Sequence, residues 1–258
     1  DVERSRGLGD VYKRQFRIRD VSIWESWYGM SHSASNFVSR AVYGLPEFNR
    51  EKIVSAELIA CPGCYPTSIE LGLLPLLKND SLQLSGIIAN VASGVSGAGR
   101  TLSTDKLFAE INDSFRAYSV SGHRHQPEIE QILSEMAGTE VDITFVPHLL
   151  PLNRGIHSTL YGSLKNSDEN VQKLYEEFYC SEPFVQVLPP GIHPSTRNVR
   201  GTNTCQISIH KPGNSNRIII LVVEDNLTKG ASGQAIQCMN IMFSFAESDG
   251  LAAAALVP

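Results

Sequence analysis

A cysteine able to act as a nucleophile stands in residues 60–67, which read ACPGCYPT. Gly63 allows a tight turn and Pro66 suits the first position of a helix, so the run predicts Cys64 at a strand-to-helix junction, just before the helix. The partial positive charge of a helix start lowers a thiol pKa from roughly 8.5, and its N–H groups can hold an oxyanion. An arbitrary cysteine is more often simply buried, but the flanking residues favour a reactive one here.

Cys61 and Cys64 also form a C-x-x-C pair, which is typical of redox dithiols and of half a zinc site. A redox dithiol usually opens its helix with the first cysteine, whereas the prolines here place the second one there. For zinc, His123 and His125 could complete four ligands, but no second closely spaced cysteine pair occurs in the sequence. Both alternatives stay open without being favoured, and we expect no metal.

Two further segments carry ionisable side chains. In the run HRHQPE, which ends at a predicted helix start, His123 or His125 could act as general base while Arg124 faces an anion. His148 and Arg154 are predicted on a loop between strands, where Arg154 could clamp a carboxylate or phosphate through two hydrogen bonds. Solvated surface loops have the same composition, so these segments alone do not decide the function.

Two glycine-rich segments could offer backbone N–H groups to a ligand: residues 93–100 (SGVSGAGR) and residues 225–234 (DNLTKGASGQ). The first lacks the spacing of a Walker P-loop, and the second could also be a well-capped helix. Arg100 is a further candidate for anion binding. The predicted cofactor contacts in the two segments are Ser93, Gly94, Ser96, Gly97, Asn226, Lys229, Gly230, Ser232 and Gly233.

The elements that must position these residues alternate between strand and helix from Ile59 onward, which predicts an α/β or α+β domain. Helices are predicted from Pro66, from Pro127, around Leu174 and after Gly230. The last two predicted strands flank a turn and indicate a hairpin. Predicted strands cover residues 86–91, 141–146, 156–164, 205–209 and 217–223.

The composition excludes several classes of function. Of 258 residues, 42% are hydrophobic and 19% charged, as in ordinary globular domains, and the net charge of −5 disfavours nucleic acid and anionic membranes. The longest apolar runs, residues 218–223 and 251–257, are too short to cross a bilayer, so we expect a soluble, cytoplasmic protein. Five cysteines make a disulfide framework unexpected. Residues 1–15 are interpreted as a non-native leader.

Taken together, the motifs resemble those of the N-acetyl-γ-glutamyl-phosphate reductase family from about Phe16 to Pro258. The resemblance implies an α/β semialdehyde-dehydrogenase substrate domain with a mixed sheet, NADP(H) as cofactor, and a homo-oligomer, dimer or tetramer. It also implies Cys64 as nucleophile, His123 as base and His125 as substrate contact. The matching stretches are residues 27–29, 42–47, 62–67, 96–100, 123–125, 153–155 and 229–235.

The same resemblance implies a domain plan. Residues 16–62 are expected to end a Rossmann NADP-binding domain, residues 63–224 to form the catalytic and dimerisation domain, and residues 225–258 to return to the first. No glycine-rich dinucleotide fingerprint precedes Phe16, so we expect on the order of a hundred residues of that domain to be missing. Cys61 replaces the asparagine usual in the family, which raises the possibility of a silencing disulfide with Cys64.

The reaction implied by the resemblance is the NADPH-dependent reduction of N-acetylglutamyl 5-phosphate to the semialdehyde and phosphate, in arginine biosynthesis, through a thioester on Cys64. One alternative is a relative that reduces a carrier-protein-linked aminoadipyl phosphate in lysine synthesis. Another is an inert fragment that only oligomerises.

Overall fold

The computed structural model describes residues 14–99, 103–213 and 215–256. Short 3₁₀ helices cover Ser35–Arg40, Val95–Ala98 and Thr104–Lys106, and a π-helix covers Thr228–Ser232. Within the described ranges, the α-helices α1 to α8 are Val21–Tyr28, Pro46–Val54, Cys64–Lys78, Phe108–Ile111, Gln126–Ala137, Val171–Phe178, Thr196–Val199 and Gly233–Met242. The strands β1 to β9 are Ala41–Tyr43, Leu58–Ala60, Ile87–Gly94, Arg116–Ala117, Ile143–Leu150, Ile156–Ser163, Val185–Val187, Cys205–His210 and Arg217–Glu224.

The strands form a seven-stranded mixed sheet in the order β4-β5-β3-β6-β9-β8-β7, and a separate two-stranded sheet of β1 and β2. β3 pairs parallel with β5 and antiparallel with β6, and the predicted hairpin is the antiparallel pair β8 and β9. β1 and β2 are parallel, as in the edge of an α/β sheet. The prediction of an α/β fold with a mixed sheet is confirmed.

Helix α3 is buried along almost its whole length and packs between the large sheet and α5. Gly72 makes this close approach possible, because a Cβ atom there would meet the side chains of Leu160 in β6 and Val222 in β9. The hydroxyl of Tyr175 in α6 donates to the carbonyl of Gly72 at 2.5 Å. This packing fixes the axis of α3, and with it the position of Cys64 at its first turn.

On the opposite face, the part of the large sheet formed by β3 and β6 is partly exposed. Ile88 and Tyr161 are register partners on this face and are 38% and 37% exposed. A shallow cavity of about 340 Å³ on the same face is lined by Asn90, Ala92, Phe115, His148, His157 and Thr159.

Several element boundaries differ from the sequence prediction. The helix expected from Pro66 begins at Cys64, and the strand expected to end at Val146 continues to Leu150. Pro147 does not end β5, because the neighbouring β4 is only two residues long and leaves the strand close to an edge position, where sheets tolerate proline.

The last helix returns to the amino-terminal part of the described chain. Cys238 and Ile241 of α8 pack with Ile53 of α2 in one apolar cluster. Two apolar residues of this helix, Ile236 and Met239, lie on its exposed side.

None of the described helices is both long enough and apolar enough to span a lipid bilayer.

Candidate active site

Cys64 is the first residue of α3, and Gly63 caps the helix with an extended backbone (φ −71°, ψ 158°). β2 ends at Ala60, so the predicted strand-to-helix junction is confirmed, although the helix begins at the cysteine rather than after it. Pro66 lies in the first turn, where its missing N–H costs no helical hydrogen bond.

The expected lowering of the thiol pKa was wrong for the resting protein. Burial raises the pKa of Cys64 to about 11, and the carboxyl of Glu224 adds to the rise. The charge of Arg17 and the N–H of Tyr65 act in the opposite direction but are outweighed. Desolvation of the thiolate therefore exceeds the stabilisation at the helix start, and a proton acceptor must take the thiol proton before the sulfur can attack.

Two imidazoles lie beside this helix start. A Cβ atom placed on Gly63 would be 2.6 Å from Nε2 of His125, so that ring packs against the residue preceding Cys64. The ring of His123 lies 4.9 Å from the ring of His125 and 5.5 Å from that of Tyr65. The structure thus places both predicted histidines against residues that flank Cys64.

Both imidazoles are neutral at neutral pH. Burial, followed by the charge of Arg124, lowers the pKa of His123 to about 4, and burial lowers the pKa of His125 well below its ordinary value. The backbone N–H of His125 donates to Nδ1 of His123 at 3.1 Å, which places the proton of neutral His123 on Nε2. Among the described residues, the buried Nδ1 of His125 has no hydrogen-bond partner. His123 therefore presents its Nε2–H group as a hydrogen-bond donor. No hydrogen bond at Nδ1 fixes the position of the proton on neutral His125 in the same way.

Gly230 and Glu224 complete the surroundings of the thiol. A Cβ atom on Gly230 would lie 2.8 Å from both Cβ of Cys64 and Oε1 of Glu224, so these two atoms are at most twice that distance apart. Glu224 is fully buried, and within the described chain neither of its oxygens has a hydrogen-bond partner. Burial raises its pKa well above the ordinary value, which favours the protonated form of the carboxyl.

The first glycine-rich segment is held in place by hydrogen bonds to other residues of the protein. The amide of Asn226 donates to Oγ of Ser96 at 2.9 Å and accepts from the N–H of Gly155 at 2.7 Å. Ser93 is buried, and its hydroxyl donates to the carbonyl of Gly94 at 3.0 Å. Asn226 and Ser96 thus use these groups to join two loops, and Ser93 and Gly94 bond to each other within β3, rather than facing an open surface.

Gly97 and Ser232 are the exposed members of the predicted cofactor set, one in each segment. Gly233, by contrast, is buried against the side chain of Asn203, which a Cβ atom there would strike. The two segments border the nucleophile, since Gly230 contacts Cys64 and the hydroxyl of Ser93 hydrogen-bonds Tyr65.

Lys229 does not occupy the predicted cofactor position. Its side chain is fully buried, and Nζ donates to Glu47 at 2.6 Å and to Oε1 of Gln237 at 2.9 Å. A buried ammonium requires such a partner, and Glu47 stands far away in the sequence. Lys229 is thus a structural residue that ties the π-helix to α2.

Arg154 was considered as a clamp for an anion, but the structure pairs it with Asp225. Its Nη2 donates to Oδ1 at 2.9 Å, and its Nε lies 2.9 Å from Oδ2. Asp225 is fully buried and also accepts from the N–H groups of Gly201 and Leu227, at 2.6 and 2.8 Å. The arginine thereby compensates a buried charge.

The remaining predicted contacts are scattered. His148 was expected on a loop but lies inside β5, with its side chain in the cavity on the exposed sheet face. Strand alternation explains this position, because residues pointing away from α3 reach the other face. Arg124 is exposed, with its guanidinium 5.7 Å from the centre of the Tyr28 ring. Arg100 lies outside the described residues.

The alternative roles of Cys61 have no support in the structure. Its thiol is hydrogen-bonded to Cys238 of α8, and no disulfide joins it to Cys64. Across the described ranges, no three His, Cys, Asp or Glu side chains are grouped as they would be around a metal ion.

Sequence reasoning gave no role to Arg17 and Glu128, which hold the loop before the nucleophile. Nε of Arg17 donates to the carbonyl of Cys61 at 2.7 Å, and Oε1 of Glu128 accepts from the N–H of Gly63 at 2.7 Å. A signal was available for Glu128, because this carboxylate stands three residues after His125 in the HRHQPE run.

Comparison with known proteins places this site in a family. Residues 64–226 match the family model described as semialdehyde dehydrogenase, dimerisation domain. The chain is 57% identical over 256 residues to the N-acetyl-γ-glutamyl-phosphate reductase of Aromatoleum aromaticum, covering 97% of this chain and 75% of the relative. The chain belongs to the N-acetyl-γ-glutamyl-phosphate reductase family. The reductase of Saccharophagus degradans is 56% identical over 246 residues, which cover 94% of this chain and 71% of the relative.

Solved structures agree with the fold. Aspartate semialdehyde dehydrogenase II from Vibrio cholerae, complexed with ASA, has a TM-score of 0.64 at 14% identity, covering 82% of this chain and 70% of that chain. Aspartate semialdehyde dehydrogenase with NADP from Candida albicans has a TM-score of 0.56 at 15% identity, covering 79% of this chain and 67% of that chain. The family's proteins are reductases, and the fold is that of semialdehyde dehydrogenases.

Proposed function

We propose that the protein reduces N-acetylglutamyl 5-phosphate to N-acetylglutamate 5-semialdehyde with release of phosphate, as a step of arginine biosynthesis. The observation that carries the proposal is a cysteine at a helix start with two neutral imidazoles beside it. Family membership supports the substrate, because relatives at 57% and 56% identity bear the name of this reductase.

The chemistry begins with proton transfer from the Cys64 thiol to an imidazole. The sulfur attacks the acyl carbon, the S–C bond forms, and the bond from that carbon to the phosphate oxygen breaks. Phosphate leaves with the bonding electron pair, and an acyl thioester remains on Cys64. N–H groups at the start of α3 are placed to stabilise the oxyanion that develops on the carbonyl oxygen.

NADPH, when bound, supplies the hydride that reduces the thioester. The chain's own residues then return the proton that Cys64 lost, so that the thiol is regenerated and the semialdehyde is released. Among the predicted cofactor contacts, Gly97 and Ser232 are the exposed ones, on segments that border Cys64. They are the residues we propose to approach the nicotinamide end, whereas Lys229 and Asn226 support them from within.

We propose that His125 accepts the thiol proton and that His123 donates a hydrogen bond, which exchanges the roles expected from the resemblance. His125 lies against Gly63, and its Nδ1 is uncommitted within the described chain, whereas Nδ1 of His123 accepts from a backbone N–H. The His125→Asn variant should then lose more kcat than His123→Asn, and the reverse order would restore the original assignment.

Arg124 is our candidate for binding the phosphate or the α-carboxylate. It is exposed beside the two histidines, and the face of Tyr28 orients its guanidinium. Arg154 is committed to Asp225 and supports the loop instead. Arg100 stays a candidate on the sequence alone.

We propose a homodimer through the exposed face of the large sheet. This face presents Ile88 and Tyr161 at the register of β3 and β6, and the matching family model is described as a dimerisation domain. We further propose that residues 16–62 and 225–258 belong with a cofactor-binding domain, since α8 packs on α2. The cytoplasm is the compartment we expect for such an enzyme.

The test is phosphate- and NADP-dependent oxidation of N-acetylglutamate semialdehyde by the complete gene product, with Cys64 intact and as Cys64→Ser. Activity that Cys64→Ser abolishes, and that Cys180→Ser at an exposed cysteine retains, would support the proposal. No activity with this substrate, but turnover of carrier-linked aminoadipate semialdehyde, would assign the protein to the lysine-pathway relative. If neither semialdehyde is turned over, the protein is an inert chain that only oligomerises.

A further inference from the structure

A buried chain of four side chains connects the nucleophile loop to the histidine helix. Nη1 of Arg17 lies 3.2 Å from Oε2 of Glu128, and its Nη2 donates to the carbonyl of Pro62 at 3.1 Å. The hydroxyl of Tyr43 lies 2.9 Å from Oε1 of Glu128 and 2.8 Å from Oε1 of Glu70. All four side chains are at most 5% exposed.

The members of this chain come from elements that otherwise have little in common. Glu70 belongs to α3, the helix that Cys64 begins, and Glu128 belongs to α5, which follows His123 and His125. Glu128 also accepts from the N–H of Gly63, the residue before Cys64 and against which His125 packs. One carboxylate therefore links the position of the peptide before the nucleophile to the position of the helix that follows the imidazoles.

Proton counting assigns different charges to the two carboxyls. The hydroxyl of Tyr43 carries a single proton yet lies within hydrogen-bond distance of both, so it donates to one and accepts from the other. Glu128 faces Arg17 and the N–H of Gly63, which favour a carboxylate. Within the described chain Glu70 forms no ion pair, and its burial together with the charge of Glu128 raises its pKa well above the ordinary value.

We infer that Glu128, ionised and held by Arg17, is a positioning residue that aligns the Cys64 peptide with the imidazole pair, while neutral Glu70 donates through Tyr43 to complete the chain. Neither carboxyl contacts the reacting atoms. The inference rests on the proposed function, because it deepens the account of the same nucleophile.

The experiment compares Glu128→Gln with Glu70→Gln in the complete gene product. Glutamine at 70 keeps a donor toward Tyr43, so kcat should stay within about threefold of the wild type. Glutamine at 128 removes the charge that Arg17 requires, so kcat should fall on the order of ten- to a hundredfold with a much smaller change in KM. Glu130→Gln, on the same helix, is the matched control for removing a carboxylate from α5.

A second readout does not depend on turnover. The rate at which iodoacetamide alkylates Cys64, followed by peptide mass spectrometry from pH 7 to 10, should change its pH profile in Glu128→Gln and not in Glu130→Gln. If Glu128→Gln does not fold, Tyr43→Phe replaces it and should also change the profile, because it removes the link to Glu70.

Unchanged kcat and an unchanged alkylation profile in Glu128→Gln would overturn the inference while leaving the proposed function intact. An equal fall in kcat in Glu70→Gln and Glu128→Gln would overturn the assignment of the charge to Glu128 and the proton to Glu70. Failure of the proposed function has a different signature, namely full activity in Cys64→Ser.

Discussion

The backbone of Gly230 lies so close to Cys64 that a Cβ atom on the glycine would be 2.8 Å from Cβ of the cysteine. Real Cβ atoms do not approach this closely, so any side chain at 230 must displace the nucleophile or the π-helix. The π-helix of Thr228–Ser232 is what brings the glycine there, in line with the frequent occurrence of such segments at functional sites.

Gly230→Ala should therefore impair catalysis. The added methyl pushes Cys64 away from its neighbours, and displacement of a reacting group by about 1 Å costs on the order of a hundredfold in rate. Steady-state kinetics should show a lower kcat in a folded protein. Gly138→Ala is the control, because it strains the left-handed end of α5 (φ 71°) far from the thiol. Equal kcat for Gly230→Ala and the wild type would contradict the contact.

Lys229→Met should destabilise the fold by about 3–5 kcal/mol, because it leaves the carboxylate of Glu47 buried without its partner. The double variant Lys229→Met with Glu47→Leu should recover part of this loss, since no unpaired charge remains. Urea unfolding measures both. Arg40→Met, which removes an exposed partner of Glu57, should cost less than about 1 kcal/mol. A much smaller loss of unfolding free energy in Lys229→Met would make Lys229 a candidate ligand contact again.

Acidification should destabilise the protein through His123. The unfolded chain binds a proton near the ordinary pKa of 6.5, whereas the folded protein resists it until about pH 4, so stability is lost as pH falls through that window. At pH 5 the loss from this residue is on the order of 1–2 kcal/mol. His123→Asn should therefore show a shallower decline in the free energy of unfolding between pH 7 and 5. Parallel declines in the two proteins would contradict the burial of this imidazole.

Tyr161→Arg should weaken the proposed dimer, because it places a charge on the exposed sheet face opposite Ile88. Sedimentation velocity should show monomer at concentrations where the wild type is dimeric. Ile192→Arg, an exposed apolar residue in a loop, is the control and should stay dimeric. If Ile192→Arg dissociates the protein and Tyr161→Arg does not, the interface lies elsewhere.

The sequence predicted those features of the fold and the site that neighbouring residues determine. The position of Cys64 followed from glycine and proline around it, and the alternation of elements gave the mixed α/β fold. The histidines were found because they directly precede a helix start. These are features that neighbouring residues decide.

What failed depended on partners distant in the sequence. Nothing near Lys229 indicates that Glu47 faces it, and nothing near Cys64 shows that burial outweighs the helix start in setting the thiol pKa. His148 was misplaced because a proline was given more weight than the pairing of its strand with β3. Tertiary contacts settled each of these points.

The central claim is that Cys64 carries the acyl group. The most direct measurement is to incubate the protein with N-acetylglutamyl phosphate in the absence of nicotinamide cofactor and to map the adduct by peptide mass spectrometry. We expect an N-acetylglutamyl group on the Cys64 peptide, released by hydroxylamine as a thioester is, and absent from Cys64→Ser. An adduct on Cys61, or none on any cysteine while the protein turns over its substrate, would contradict it.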